Sequence, residues 1–453
     1  MISIHKKLGL LFATAFCVVL VAGCNETLRQ FIVPVPRPTG DPSALAHAVV
    51  LSTNGLTNDG STMHIDVSGD TIAGVVETGP NPVFLGKDGS RAYVINSDDT
   101  VTSYFALLPT TPPINTVTLP SSGTNAALTP VAGATTSSGN IFLANSGSDN
   151  VSVISGTVLA QTNTIALPAT SHKPVAIAGS PISSKMYIVN NLSNDVTVVS
   201  TTDNSIVKTI PVGSHPIWGV MANNGVQVFI VNQGDGTAAN PGSVSVIDTN
   251  LDIVIPCTPG PACSTAGAIS VGTTAATSAP TFAFYDAKLQ RLYVTNTGES
   301  TLTAIKADGI DLGVTPQVLP GLLANIKLSA APTSVVALSD GSKAYAALGG
   351  CPAGTNHITL PSNLGSCNGS LVSVIDAIGL QEVKTIPVGA GAVSIDAASD
   401  ASRVYVVSAH ASNVSIIRTS TDSVNTTFTT PQQVSSCTSS CPVQTPLMVR
   451  VFP

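Results

Sequence analysis

Six of the eight cysteines fall in close pairs: Cys257 with Cys263, Cys351 with Cys367, and Cys437 with Cys441. Thiols at such spacings can close local disulfides in an oxidising compartment. A closed loop of about 15 residues would gain on the order of 3 kcal/mol from that bond. Zinc binding would instead need pairs distant in sequence to converge tetrahedrally. No C-x-x-C unit and no C-x-x-C-H haem attachment occurs. Local disulfides are therefore the expected chemistry, with no metal.

The remaining reactive side chains are scattered. His47, His64, His357 and His410 stand singly, and His172 lies beside Lys173. No Ser-His-Asp order, H-E-x-x-H or glycine-rich phosphate loop is present. Charged residues make up 9% of the chain, against about 25% in ordinary globular proteins. A net charge of −7 with few basic clusters leaves no electrostatic footprint for nucleic acid.

Positioning any of these groups falls to a repeat. Tyr93-Val94-Ile95-Asn96 recurs at Phe142–Asn145, Tyr187–Asn190, Phe229–Asn232 and Tyr293–Asn296, with worn copies at Val49, Tyr345 and Tyr405. Each copy is followed by an alternating β-branched stretch, such as Ser243-Val244-Ser245-Val246-Ile247-Asp248, which reads as a half-buried strand. A third stretch follows: Val207-Lys208-Thr209-Ile210-Pro211-Val212-Gly213 returns as Val383-Lys384-Thr385-Ile386-Pro387-Val388-Gly389. A shorter fourth, as in Pro332 to Leu338, completes the unit. Four strands per 42 to 64 residues predict propeller blades. The asparagines that end the repeat, in Asn145 to Asn150 and Asn190 to Asp195, read as turn residues bonding their own backbone. Each turn offers too few carboxylates for calcium.

The repeat resembles that of the YVTN β-propeller family (YncE-like), and Tyr293 to Asn296 spell its name. The resemblance covers residues 46–453 and implies an all-β fold, a single β-propeller. Its blades can be counted at the X-Pro steps before the innermost strands: Asn81, Thr129, Lys173, His215, Ala279, Ala331 and Thr445 precede prolines, and Gly391 fills a further slot. Eight four-stranded blades are expected, with seven as the alternative. The lone last strand, Leu447 to Phe452, should close the first blade and remove the ring's open edge. The period breaks at 255–272, 308–331 and 349–368, with a short cysteine loop at 435–443.

In such a ring the residues before the inner strands surround one mouth of the channel. Asn81, Thr129, Lys173, His215 and Thr445 form a polar arc, with Trp218 and His172 nearby, whereas Ala279, Ala331 and Gly391 are bare. The five polar positions are candidate binding residues. Lactonase-like propellers use charged and histidine side chains there, but the inner strands here supply only Asp286, Asp396 and Arg450, on different blades. Quinone and copper propeller enzymes need aromatic stacking or histidine clusters, and 4% aromatic content argues against both. No catalytic residue and no cofactor is expected.

The amino-terminal segment carries a second resemblance. Lys6 and Lys7 precede an apolar run from Leu8 to Val21, too short for a spanning helix. It ends in Val21-Ala22-Gly23-Cys24, which resembles the lipobox of bacterial lipoproteins. That implies a signal peptide over 1–23, lipidation of Cys24 and membrane anchorage. Asn25 rather than Asp leans towards the outer membrane, facing the periplasm or the surface. Pro34, Pro36, Pro38 and Pro42 make 24–45 a semi-rigid tether. Together these features predict a non-enzymatic, lipid-anchored propeller in the cell envelope that binds a protein or polysaccharide. The alternative is a lactonase-like or other hydrolytic enzyme working near His215.

Overall fold

The computed structural model describes residues 46–453, apart from 56, 108–113, 122–128, 157, 180–181, 265, 275–276, 308–317, 350–369 and 432–442. Among the described residues there are strands and turns but no helix. The strands form eight separate antiparallel sheets, each a blade. The fold is an eight-bladed β-propeller.

Within each blade the chain runs from an inner strand outwards. The inner strands of blades 2 to 8 are Pro82–Asp88, Pro130–Thr135, Pro174–Ala178, Pro216–Met221, Pro280–Asp286, Pro332–Ala337 and Ala392–Ala397. Each touches the inner strand of the next blade. The Tyr-x-x-Asn repeat falls on the second strands, whose residues are buried almost without exception. β-branched and aromatic side chains project from both faces there and pack against both neighbouring blades. Outer strands face solvent, and Ile206–Pro211 keeps only Ile210 fully buried.

Blade 1 is closed by the end of the chain. Thr445–Phe452 pairs antiparallel with His47–Thr53, from His47 opposite Phe452 to Thr53 opposite Thr445, with a bulge at Leu51/Ser52. Met448 and Phe452 pack into the core shared with blades 2 and 3, while Val449 and Val451 pack into the core shared with blade 8. Burial of four such side chains, at about 1.5–3 kcal/mol each, stabilises the closure by several kcal/mol.

Two of the expected period breaks need correction. The stretch 308–331 is not wholly an insertion, because Gly321–Lys327 is the outer strand of blade 6. In blade 5 the outer strand is split rather than followed by a loop. Ile253–Val254 and Ile269–Ser270 both pair with the third strand, Ser243–Asp248, and the residues between leave the sheet. Cys257 and Cys263 are joined across that excursion, with Cα atoms 5.6 Å apart. The pairs Cys351 with Cys367 and Cys437 with Cys441 lie outside the described residues, as do Cys24 and the tether.

Candidate functional site

The mouth residues are backbone elbows. Asn81, Thr129, Lys173, His215 and Ala279 have φ between 40° and 57°, and Gly391 has 74°. A left-handed residue before proline is sterically unusual, since that position favours extended backbone. Hydrogen bonds hold it in place. The elbow carbonyl accepts from the residue just past the second strand: Ser97 N–H to Asn81, Ser146 to Thr129, Asn191 to Lys173, Gln233 to His215 and Thr297 to Ala279. On the donor side, the Lys173 N–H reaches Asp149 Oδ1 at 2.6 Å and the His215 N–H reaches Asn194 Oδ1 at 2.7 Å, both in the preceding blade. Thr445 and Ala331 are not left-handed. Because the backbone does the work, elbow side chains are free to differ between blades. His215 Nδ1 lies 2.9 Å from Ser214 Oγ, Asn81 Oδ1 accepts from Thr53, and exposed His172 pairs with Asp149 at 3.0 Å. These contacts tie each group to its own elbow rather than to a common point.

The asparagines ending the second strands do something other than turn chemistry. Asn96, Asn145, Asn190, Asn232 and Asn296 are fully buried. Each Nδ2 donates to two side chains on the third strand. For Asn190 they are Asp195 Oδ1 (2.6 Å) and Thr197 Oγ1 (2.9 Å), and for Asn296 they are Thr301 and Thr303 Oγ1, both at 2.9 Å. They are strand-end clasps. The Ser and Thr residues on the facing strand were the signal that could have shown this.

A second set of contacts, between blades, had no counterpart in the sequence reading. Two residues before the repeat tyrosine stands a basic group that crosses to the next blade. Lys185 Nζ bonds Thr249 O (2.9 Å) and Asp252 (2.6 Å), and Tyr187 Oη donates to the same carboxylate at 2.8 Å. Lys343 and Tyr345 grip Asp422 in the same way. His47 Nδ1 donates to Ala106 O and Arg291 Nη1 to Ala377 O. At the closing seam Arg403 Nε meets both oxygens of Asp70, at 3.1 and 3.3 Å.

Inside the channel lies a cavity of about 290 Å³. Its walls come from the inner strands of blades 1 to 5, the blades whose elbows form the polar arc. Phe84, Ala132, Ala134, Ala176, Ile177 and Trp218 give the apolar lining, and Arg450 and Lys87 the charge. Room for it comes from the small residues of blades 2 to 4. At Gly86 a Cβ would collide with the Tyr93 ring, which lies across that glycine and lines the cavity as well. Trp218 is therefore a channel wall rather than a mouth residue. It is fixed from blade 6, where Nε1 donates to Ala283 O at 3.3 Å and the ring packs 5.0 Å from Phe282. Arg450 and Asp396, read as dispersed, stand on neighbouring inner strands, and Val451 N–H donates to Asp396 Oδ2 at 2.8 Å. Burial holds the Arg450 guanidinium below its ordinary pKa, and the Asp396 charge opposes that shift. Asp286 is elsewhere: its Oδ1 caps the turn at Lys288 and Leu289, and burial raises its pKa.

A larger groove, about 700 Å³, opens on the rim between blades 4 and 5. The split outer strand creates it. Asn194, Lys208, Asn240, Ser243, Ser264 and Ser270 supply polar groups, and Ile210, Val212 and Val254 supply apolar ones.

The chain matches no protein-family model and no curated protein. Solved structures resemble it in fold. Hydrazine synthase of Kuenenia stuttgartiensis is 18% identical, with 76% of this chain and 97% of that chain covered and a TM-score of 0.52. The dihydro-heme d1 dehydrogenase NirN is 11% identical, covering 91% of this chain and 76% of that one, with a TM-score of 0.59. AztD from Citrobacter koseri is 10% identical, with 90% and 98% covered and a TM-score of 0.56. At these identities the likeness extends to the propeller fold alone, on which many unrelated activities are built.

Proposed function

We propose that this chain is a lipid-anchored binding module of the bacterial cell envelope, taking a polysaccharide or protein partner on the rim between blades 4 and 5. The observation that carries the reading is the stapled break in the outer strand of blade 5. A regular blade would bury the edge of Ser243–Asp248 along its length. Here the chain leaves the sheet after Ile255, is closed by Cys257–Cys263, and returns at Ile269. The groove so formed mixes hydroxyl and amide groups with an apolar floor, one lysine (Lys208) and one carboxylate (Asp252), a lining suited to a largely neutral polymer. Function concentrates on loops held by rigid frames. In this reading Cys24 carries the lipid and 25–45 forms the spacer.

Two measurements test it. Cys24→Ser should leave an uncleaved precursor that takes up no labelled fatty acid; processing and membrane partition like the parent would remove the anchor. Replacing 256–268 by a short turn should abolish retention of the mature protein on immobilised envelope polysaccharide or its capture of a cross-linked partner. Undiminished retention by a folded variant would overturn the groove.

A further inference from the structure

We propose that the central channel holds a separate site for a small organic carboxylate, bound by Arg450 against an apolar and aromatic wall. The site does not depend on the rim groove.

The charge comes first. Arg450 projects into the 290 Å³ cavity from the strand that closes the ring. Among the described residues it donates from Nη1 to the Val449 carbonyl at 3.0 Å. A guanidinium carries five N–H donors in a planar fork, so most of the fork is available to an acceptor. Asp396 does not consume it. One oxygen of that carboxylate takes the Val451 N–H and the other the Ala397 N–H. Lys87, exposed and bonded to Val451 O at 3.3 Å, adds a second cation to the same cavity. Counting Arg450, Lys87 and Asp396 leaves one formal positive charge, which a monoanion would neutralise. A carboxylate meets the arginine fork bidentately, with strong directional hydrogen bonds.

The walls then choose the rest of the molecule. Phe84, Tyr93 and Trp218 present aromatic surface, while Ala132, Ala134 and Ala176, on the blades between them, leave room for a ligand. Trp218 is held from behind by Phe282 and Ala283, so it forms a fixed wall. The volume lies just below the usual range for small-molecule sites, which fits a small ligand and is too small for a polymer. A compact planar or apolar body with one carboxylate fits both features. The mouth side chains that could admit it, Thr445, Asn81, Thr129, Lys173 and His215, belong to the same five blades.

Trp218 is the only tryptophan in the chain, so its emission reports on this cavity alone. The full mature protein is titrated with benzoate, and with benzamide as the neutral isostere. Benzoate should give a saturable change in emission, and benzamide should bind at least tenfold more weakly. Arg450→Gln should weaken benzoate at least tenfold and Arg450→Lys less, with benzamide unaffected. Lys87 is exposed, so Lys87→Gln leaves the core unchanged and should weaken benzoate several-fold. The proposal is overturned if benzoate gives no saturable change, if benzamide binds equally well, or if Lys87→Gln leaves the benzoate affinity unchanged.

Discussion

The seam between blades 8 and 1 and the seam between blades 2 and 3 use the same repeat positions and are built differently. At the first, Arg403 and Tyr405 face Asp70, which Asn425 also bonds at 2.8 Å. At the second, Arg91 and Tyr93 face a turn whose corresponding left-handed residue is Leu159. With no carboxylate to reach, Arg91 stays in its own blade, 4.9 Å over the Phe105 ring and 3.4 Å from Ser103. Of these two, the seam that joins the two ends of the domain is thus the one given a buried ion pair, of the kind that Lys185 with Asp252 and Lys343 with Asp422 supply at two seams between consecutive blades. A seam between consecutive blades is already held by chain connectivity and packing, whereas the closing seam must be specified by contacts of long sequence separation.

Removing Leu447 to Pro453 should break the comparison most severely. It deletes most of the inner strand of blade 1 and exposes the edge of His47–Thr53. The loss is several kcal/mol of apolar burial together with an unpaired edge. Calorimetry should show a markedly lower melting temperature or aggregation, and equal melting would refute the role of the closing strand.

Acid should act next, at the seam between blades 1 and 2. His64 is fully buried, with Nδ1 2.9 Å from Ala106 O and Nε2 near Tyr104 Oη and Thr62 Oγ1. Burial pushes its pKa from 6.5 down to about 3, with the His47 charge adding to the shift. The folded state therefore keeps the neutral ring while the unfolded chain takes up a proton. Stability is full above pH 6.5 and falls as pH drops from there towards 3, by up to about 1.4 kcal/mol per unit. Denaturant titrations between pH 7 and 4 should show this slope, and His64→Gln should flatten it. An unchanged slope in that variant would locate the acid sensitivity elsewhere.

The ion pair itself gives a sharper contrast. Arg403→Met leaves Asp70 buried and should cost about 3–5 kcal/mol, whereas Arg91→Met should cost less than about 1 kcal/mol. Pairing Arg403→Met with Asp70→Leu should recover much of the loss, because an apolar pair of similar volume often replaces a buried ion pair without penalty. Equal costs for the two arginines would erase the distinction between the seams.

Much of the architecture was legible because the buried second strands carry the repeat, and burial on both faces fixes residue type there. Outer strands were less legible. Gly321–Lys327 buries only Ile326 fully, so Gly-Leu-Leu-Ala-Asn-Ile-Lys looked like part of an insertion. The channel cavity was hidden for another reason: Lys87 and Arg450 meet only because the last strand returns to the first blade, and Ala132 or Ala176 carries no signal alone. The seams were hidden because several acceptors are carbonyls, such as Thr249 and Ala377, to which sequence is blind. The left-handed backbone of Asn81, Thr129, Lys173 and His215 became visible only with the hydrogen bonds that hold it.

The smallest effect separates two tyrosines at one repeat position. Tyr187 Oη donates to Asp252 Oδ1 at 2.8 Å, while Lys185 takes the other oxygen. At the closing seam Arg403 Nε spans both oxygens of Asp70 and Asn425 takes a further bond, so the carboxylate is occupied. Tyr405 Oη is buried and makes no hydrogen bond among the described residues. Removing a hydroxyl that bonds a carboxylate costs about 1.5–3 kcal/mol, whereas removing a buried hydroxyl with no partner is neutral or stabilising. Tyr187→Phe should therefore lower the unfolding free energy by about 2 kcal/mol. Tyr405→Phe should leave it unchanged or raise it slightly. Urea unfolding of the two variants reads the difference directly. If Tyr405→Phe is as damaging as Tyr187→Phe, the hydroxyl at the closing seam has a bond to Asp70 after all, and the two seams share one design.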